Sequence, residues 1–380
     1  MTDKRVCVAF GTRPEASKMA PVIYALQKQE GVKPVTLVTG QHREQLDQML
    51  GIFELKPDAD LDLMKDRQTL PELMGRMVPA AASKLKELNV DYVLVHGDTL
   101  TTFAVALAAF FENIPVGHVE AGLRSFDMTQ PFPEEANRRL TDVLTDVDLP
   151  PTAWSRQNLL NEGKSADKMI ITGNTAVDAV HYLLDRAQLP AHMPKDKLVY
   201  ITMHRRENLP MMAGLAKALA DVAKAYPAYT FVYPVHLNPA VRDAVYPAMQ
   251  GVKNIMLEEP LDFLSSLAVQ KHAELIITDS GGIQEEGTSL GKPVVVLRNV
   301  TERPEGVEVG SLKLAGNEAG KVKDVLLGLL GTPEELEEMR SKPNPYGDGQ
   351  AGTRVAQAVA WRLGQAEKPK DWALEPELAK

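Results

Sequence analysis

Residues 275–297, LIITDSGGIQEEGTSLGKPVVVL, set an anion cradle beside two acids. An apolar strand runs into Asp279-Ser280-Gly281-Gly282, and a helix then opens carrying Glu285 and Glu286. Glycines and the free N–H groups of a helix start suit a phosphate. Carboxylates one turn further on do not. A nucleoside diphosphate satisfies both requirements, because its ribose hydroxyls lie close to its phosphates.

Other polar clusters fall just after predicted strands. In GTRPEASK, Gly11 allows a tight turn, Pro14 suits a helix start, and Arg13 and Lys18 bracket it, which predicts an anion site. A solvated helix start is the plain alternative. HGDTLTT places Asp98 at a strand-to-helix turn, where an N-cap role is the alternative. EAGLRS supplies Glu120, and PFPEEANRR brings Glu134, Glu135 and Arg138, which could equally be a charged helix face. Later in the chain, TMHRREN carries His204, Arg205 and Arg206, and YPVHLNP carries His236. A histidine alone is more often a satisfied core or loop residue, but both of these lie past strand ends. TERPEG supplies Arg303, whose planar fork could grip a phosphate bidentately.

What must position these residues is an alternation of short apolar strands and amphipathic helices. Strands are expected at 5–10, 34–39, 92–95, 116–119, 169–172, 198–202, 230–234, 255–257, 275–278 and 294–297. Between them run helical stretches such as MAPVIYALQKQ and MAGLAKALADVAKAY. The pattern predicts an α/β protein of two Rossmann-like domains whose parallel sheets face a central cleft. Residues 1–174 form the first domain, with a final helix at 354–365 expected to pack back on it; residues 175–353 form the second, and 366–380 a poorly ordered tail. A ligand is then expected in the cleft, at the carboxyl ends of the strands.

Composition narrows the function. Of 380 residues, 42 are Lys or Arg and 51 Asp or Glu, a net charge of -9, which argues against nucleic acid and gives no polybasic membrane signal. The longest apolar run, FAVALAAFF at 103–111, is far short of a membrane helix. Cys7, the one cysteine, lies in the apolar run VCVAF and is expected to be a buried thiol; a cytoplasmic location fits. No GxGxxG fingerprint for a nicotinamide cofactor occurs, GTSLGKP fails the P-loop spacing, and no Cys/His set has zinc spacing. No cofactor and no metal are expected.

The assembled motifs resemble the non-hydrolysing UDP-N-acetylglucosamine 2-epimerases. The likeness runs in order through FGTRPEASKMAP, QHREQLDQML, VHGDTLTT, PVGHVEAGLRS, PFPEEANRRLTD, TGNT, HRREN, YPVHLNP, TDSGGIQEEGTSLGKPVVVLR, TERPEG and NPYGDGQA, over about residues 5–365. The resemblance implies a glycosyltransferase-B-like fold and interconversion of UDP-GlcNAc and UDP-ManNAc by inversion at C2, supplying ManNAc for cell-surface polysaccharide. It implies that Arg13, Lys18, His204, Ser280, Gly281, Gly282 and Arg303 hold UDP and that Glu286 holds the ribose. Asp98, Glu120 and Glu134 would be the acid/base groups, with Arg138 and His204 beside them. A second, activating UDP-GlcNAc is implied at Gln41, His42, Arg67, Arg205 and His236, a set expected to lie apart from the UDP cradle. A homodimer is expected. One departure is Ser266, where relatives often carry an aromatic near the uracil. A glycosyltransferase, a hydrolysing epimerase and a non-catalytic UDP-sugar sensor are the rival readings.

Overall fold

Val6, Cys7, Val8, Ala9 and Phe10 are all completely buried, as a parallel strand covered on both faces requires. They belong to β1 (Lys4–Phe10), the centre of the first of two sheets in the computed structural model, which describes residues 3–40, 43–65 and 68–374. The other strands of this sheet are β2 (Val32–Val38), β3 (Ala59–Asp60), β4 (Tyr92–His96), β5 (Val116–Val119) and β6 (Val147–Leu149), in the order β3-β2-β1-β4-β5-β6. Every pairing is parallel. The second sheet holds β7 (Leu198–Thr202), β8 (Thr230–Pro234), β9 (Ile255–Glu258), β10 (Ala273–Thr278), β11 (Val294–Val296) and β12 (Leu312–Leu314), ordered β12-β11-β10-β7-β8-β9 and again all parallel.

The chain divides into two compact units, one formed by Met1–Ala179 with Tyr346–Ala373, the other chiefly by Val180–Pro345. The first unit packs Cys7, Ala9, Val93 and Val95 against Val105, Ala108 and Ala109 of the Leu100–Phe111 helix. The second packs Val199, Ile201 and Ile277 against Leu215, Leu219 and Val222 of the Met212–Ala225 helix. Burial pushes the Cys7 thiol up to about 12, so it is inert apolar filling.

Within the first unit, Asp178 accepts N–H groups from Ala351 at 3.1 Å and Gly352 at 2.8 Å, tying down the start of the Ala351–Arg362 helix. Two expectations are corrected. At 169–172 no strand forms beyond a bridge from Met169 to Asp148, although the Ile170 and Thr172 N–H groups donate to the Asp148 and Pro150 carbonyls at 3.2 and 3.0 Å; the Ile171 N–H, on the other edge, donates to the Asp371 carboxylate at 2.8 Å. The same contact anchors part of the expected loose tail: the Trp372 N–H also donates to the Ile171 carbonyl, at 2.8 Å. Residues 375–380 lie outside the described residues. Among the described residues, no helix is long and apolar enough to cross a membrane.

Candidate active site

In the first unit the loop after β1 is closed by its own carboxylate. Glu15 Oε2 accepts the N–H groups of Gly11 at 3.0 Å and Thr12 at 2.9 Å, so these two donors of the expected anion site are taken up within the loop. Glu15 Oε1 takes the hydroxyls of Thr99 at 2.8 Å and Thr102 at 3.2 Å, joining this loop to the one after β4. Burial raises the Glu15 carboxyl above the usual range, against the pull of these bonds. Arg13 remains at the first turn of the Arg13–Lys28 helix, half-buried.

After β4, Thr99 accepts the N–H of Thr102 at 3.1 Å and so is the N-cap of the next helix. Asp98 is therefore spared that role. Its carboxylate pairs with Arg138, its carbonyl accepts Asn137 Nδ2 at 3.0 Å, and its side chain is a third exposed. Glu120, at the end of β5, has a left-handed backbone with φ 65°, a conformation that costs a non-glycine residue about 1–3 kcal/mol and is concentrated at functional sites. Lys18 pairs with it, Asn174 Nδ2 donates to it at 3.2 Å, and His96 Nε2 lies 3.7 Å away. A Cβ on Gly97 would lie 3.6 Å from Glu120 Oε1, which puts this carboxylate beside the turn that carries Asp98.

The paired acids of PFPEEANRR separate by role. Glu135 is completely buried, accepts the N–H groups of Ser125 at 3.0 Å and Phe126 at 3.2 Å, and lies 3.4 Å from Arg138. It holds a loop. Glu134, at the first turn of the Glu134–Leu144 helix, is only half-buried.

In the second unit the acid of the loop after β10 turns inward. Asp279 is completely buried and accepts the N–H groups of His204 at 3.0 Å and Arg205 at 3.0 Å, and Asn208 Nδ2 at 3.1 Å. This fixes the loop after β7. The rings of His204 and His236 stack with centroids 5.5 Å apart. The expected separation of His236 from the cradle residues is thus corrected, and Arg205 adjoins them too. Burial, together with Arg298 and Arg303 nearby, lowers the Arg205 pKa. Its guanidinium has no hydrogen-bond partner among the described residues.

The Gly281–Ser289 helix opens beside Arg303. A Cβ on Gly281 would come within 2.6 Å of Arg303 Nη1, so glycine is the residue that lets this guanidinium reach the helix start. Glu285, completely buried, holds Arg303 Nε at 2.6 Å. Glu286 accepts Gln270 Nε2 at 2.7 Å, and Tyr200 shares a 2.8 Å hydrogen bond with Ser266. Burial alone would raise the Glu302 carboxyl, but paired bonds from Arg298, at 2.8 and 3.1 Å, and the charge of Arg303 hold it far below the usual range. Gln41, His42 and Arg67 lie outside the described residues.

One cluster among the described residues has metal-ligand types, buried His118, Asp142 and Asp148. Arg124 Nη2 bonds Asp142 at 2.5 Å and Lys164 Nζ bonds Asp148 at 2.9 Å, so fixed cations already serve both carboxylates. The cluster reads as an ion network.

Residues 24–360 match a family model described as UDP-N-acetylglucosamine 2-epimerase. The chain belongs to this family. The UDP-N-acetylglucosamine 2-epimerase of Bacillus subtilis (strain 168) is 44% identical over 98% of this chain and 99% of its own length. The crystal structure of a UDP-N-acetylglucosamine 2-epimerase from Listeria monocytogenes superposes with TM-score 0.92 at 43% identity, covering 98% of this chain and all (100%) of its own. The Neisseria meningitidis UDP-GlcNAc 2-epimerase bound to UDP-GlcNAc gives TM-score 0.88 at 44% identity, covering 93% of this chain and 99% of its own.

For an epimerase of this family, the sequence reading missed Glu15, His96, His118 and Arg298. Glu15 reads as part of a helix start, and His96 and His118 as interior strand residues. The partners of His96 and His118 lie far along the chain, and no local spacing announces them, whereas the Thr12-x-x-Glu15 capping box and the Arg298–Glu302 pair are local signals that could have found the other two.

Proposed function

We propose that the chain interconverts UDP-GlcNAc and UDP-ManNAc by inverting C2 of the sugar. The observation that carries this reading is the pair of acids at the carboxyl ends of adjacent strands β4 and β5, each held by one cation, in a chain of this family. C2–H is not adjacent to a carbonyl, so direct deprotonation is unattractive. Departure of UDP solves this: the C1–O bond breaks with its electron pair going to the diphosphate, C2 loses its proton, and the C2–H electrons form the C1–C2 double bond of 2-acetamidoglucal. Return of UDP to C1 with protonation at the opposite face of C2 gives the epimer.

In this scheme Asp98 is the first candidate for the base, and Glu120 and Glu134 serve the opposite face or orient their neighbours. Arg138 and Lys18 pair with the first two acids and fix where each carboxyl group sits. The Gly281–Ser289 helix start, with Ser280, Gly281, Gly282, His204, Arg13 and Arg303, would bind and stabilise the departing diphosphate, and Glu286 the ribose. The chemistry needs no nicotinamide and no metal.

We assign the activating UDP-GlcNAc to Gln41, His42, Arg67, Arg205 and His236. Support comes from Arg205, a largely buried cation set among Arg298, Arg303, Glu302 and Glu207, whose guanidinium has no hydrogen-bond partner among the described residues and could take a diphosphate. A homodimer is favoured by Phe110 and Phe111, 54% and 61% exposed, and by Leu140 and Val143, 47% and 77% exposed, on two helices that pack on one another. The product is an activated amino sugar, the form a polysaccharide-building transferase consumes, and the lone buried thiol fits a reducing cytoplasm. Incubation with UDP-GlcNAc alone, followed by NMR, tests the reading. UDP-ManNAc supports it, free ManNAc with UDP marks a hydrolase, and no turnover without an acceptor marks a transferase.

A further inference from the structure

His118 lies on β5, two residues before Glu120, and its side chain is wholly enclosed. Its two ring nitrogens face Asp142 Oδ1 at 2.6 Å and the Gly97 carbonyl at 2.7 Å. A carbonyl oxygen only accepts, so Nε2 carries a hydrogen. Asp142 is also bonded through its other oxygen to Arg124 at 2.5 Å, which keeps it ionised, so Nδ1 carries one as well. A neutral ring would set a lone pair against a buried carboxylate at 2.6 Å.

We propose that His118 is a permanent imidazolium and a positioning residue for the epimerisation, clamping the Gly97 carbonyl and so fixing the turn that presents Asp98. Gly97 takes a left-handed φ of 66°, and its N–H donates to the Val119 carbonyl at 2.9 Å. With the carbonyl also held, Gly97, the residue before Asp98, is fixed at both of its backbone polar groups. The ionisable groups around His118 are Asp142 from the Glu134–Leu144 helix, Asp148 from β6, Arg124 from the loop after β5, and Glu162 and Lys164 after the Ala153–Asn161 helix. His96, Asp98 and Glu120 belong to the side of the turn that the clamp presents. Burial by itself would lower the His118 pKa, but the charge and hydrogen bond of Asp142 raise it overall, while His118 and Arg124 hold Asp142 low against its own burial.

The kinetic part of the proposal rests on the epimerase reading; the protonation state does not. Histidine-selective 15N NMR of the wild-type protein should show one ring with both nitrogens protonated at pH 8, where exposed histidines are neutral. Absence of any such ring overturns the imidazolium, whatever the activity. Asp142→Asn should convert that ring to a neutral tautomer at the same pH; persistence of the doubly protonated signal would assign it elsewhere and refute the clamp. His118→Phe should lower kcat about 100-fold, the effect of a small misplacement of a reacting group, with KM and UDP-binding stoichiometry near wild type. His118→Gln, which keeps a donor without the charge, should recover part of the loss. Unchanged kcat in folded His118→Phe would overturn the positioning role, and equal losses in kcat and in UDP-binding stoichiometry would mark a merely structural histidine. If both variants fail to fold, the wild-type spectrum still decides.

Discussion

The loop after β4 and the loop after β10 hold the same place in two sheets of the same topology. Read from opposite ends, β3-β2-β1-β4-β5-β6 and β12-β11-β10-β7-β8-β9 are one succession, with β4 and β10 in equivalent positions. Both loops carry an aspartate. Asp98 leaves capping to Thr99 and turns its carboxylate to Arg138. Asp279 is buried under the N–H groups of His204 and Arg205, leaving the helix start to two glycines and Arg303. On the proposed reading, one topology thus offers acids in the first unit and an anion cradle in the second. The fold decides where loops emerge; the residues in them decide the chemistry.

The sharpest way to break this division is Asp98→Asn. It keeps size and removes the proton acceptor, so kcat should fall by about 10²–10⁴, the usual share of general acid–base catalysis, with UDP binding retained. In D2O the wild type should place deuterium at C2 of both epimers, and the variant should not. Epimerisation by the wild type without solvent deuterium would discard the elimination scheme.

The converse experiment removes charge from the second unit. Arg303→Met combined with Glu285→Gln strands no buried carboxylate and should weaken UDP binding by about 1.5–3 kcal/mol, or ~10–150-fold. Deuterium exchange at C2 of saturating substrate should persist. Calorimetry showing unchanged UDP affinity would remove Arg303 from the cradle.

Lys18 sharpens the boundary, because sequence likeness puts it with UDP while the geometry pairs it with Glu120. If it serves the acid, Lys18→Met should cost about tenfold in kcat, roughly the value of one charge-assisted hydrogen bond, with little change in UDP affinity. The opposite pattern would return it to the nucleotide.

The smallest effect concerns the helix that returns to the first unit. Burial pushes the Asp178 carboxyl from 3.8 up to about 6 despite its bonds from Ala351 and Gly352. Between those values the native state holds a proton that the unfolded chain has released, so stability falls as pH rises from about 4 to about 6. Relative to wild type, Asp178→Asn should gain about 1–2 kcal/mol between pH 4 and pH 7 in urea denaturation. A difference that does not vary with pH would refute the shift.

Much of the architecture was legible because buried parallel strands are continuous apolar runs. Leu198–Thr202 and Thr230–Pro234 were readable to the residue. Ala59–Asp60, Val147–Leu149 and Leu312–Leu314 are two or three residues long and each holds a charged residue, so they carry too little apolar pattern to be seen, whereas the equally short Val294–Val296 is all valine. Residues 169–172 had strand character, yet they reach β6 only through a bridge and two hydrogen bonds, and their other edge is met by the side chain of Asp371 rather than by a strand.

By itself, the sequence determined the alternation of strands and helices, the polar clusters past the strand ends and the family to which they point, since each is written in residues close together in the chain. Only the tertiary structure decided which polar groups are spent on holding loops. Glu15, Glu135, Asp279 and Glu285 look as available as Asp98 and Glu120 in the sequence, yet each is buried and already bonded to backbone or arginine donors. A carboxylate's role depends on the hydrogen bonds and charges that reach it, and those come from residues that folding alone brings near: Lys18 and Glu120 lie 102 positions apart, Asp98 and Arg138 40.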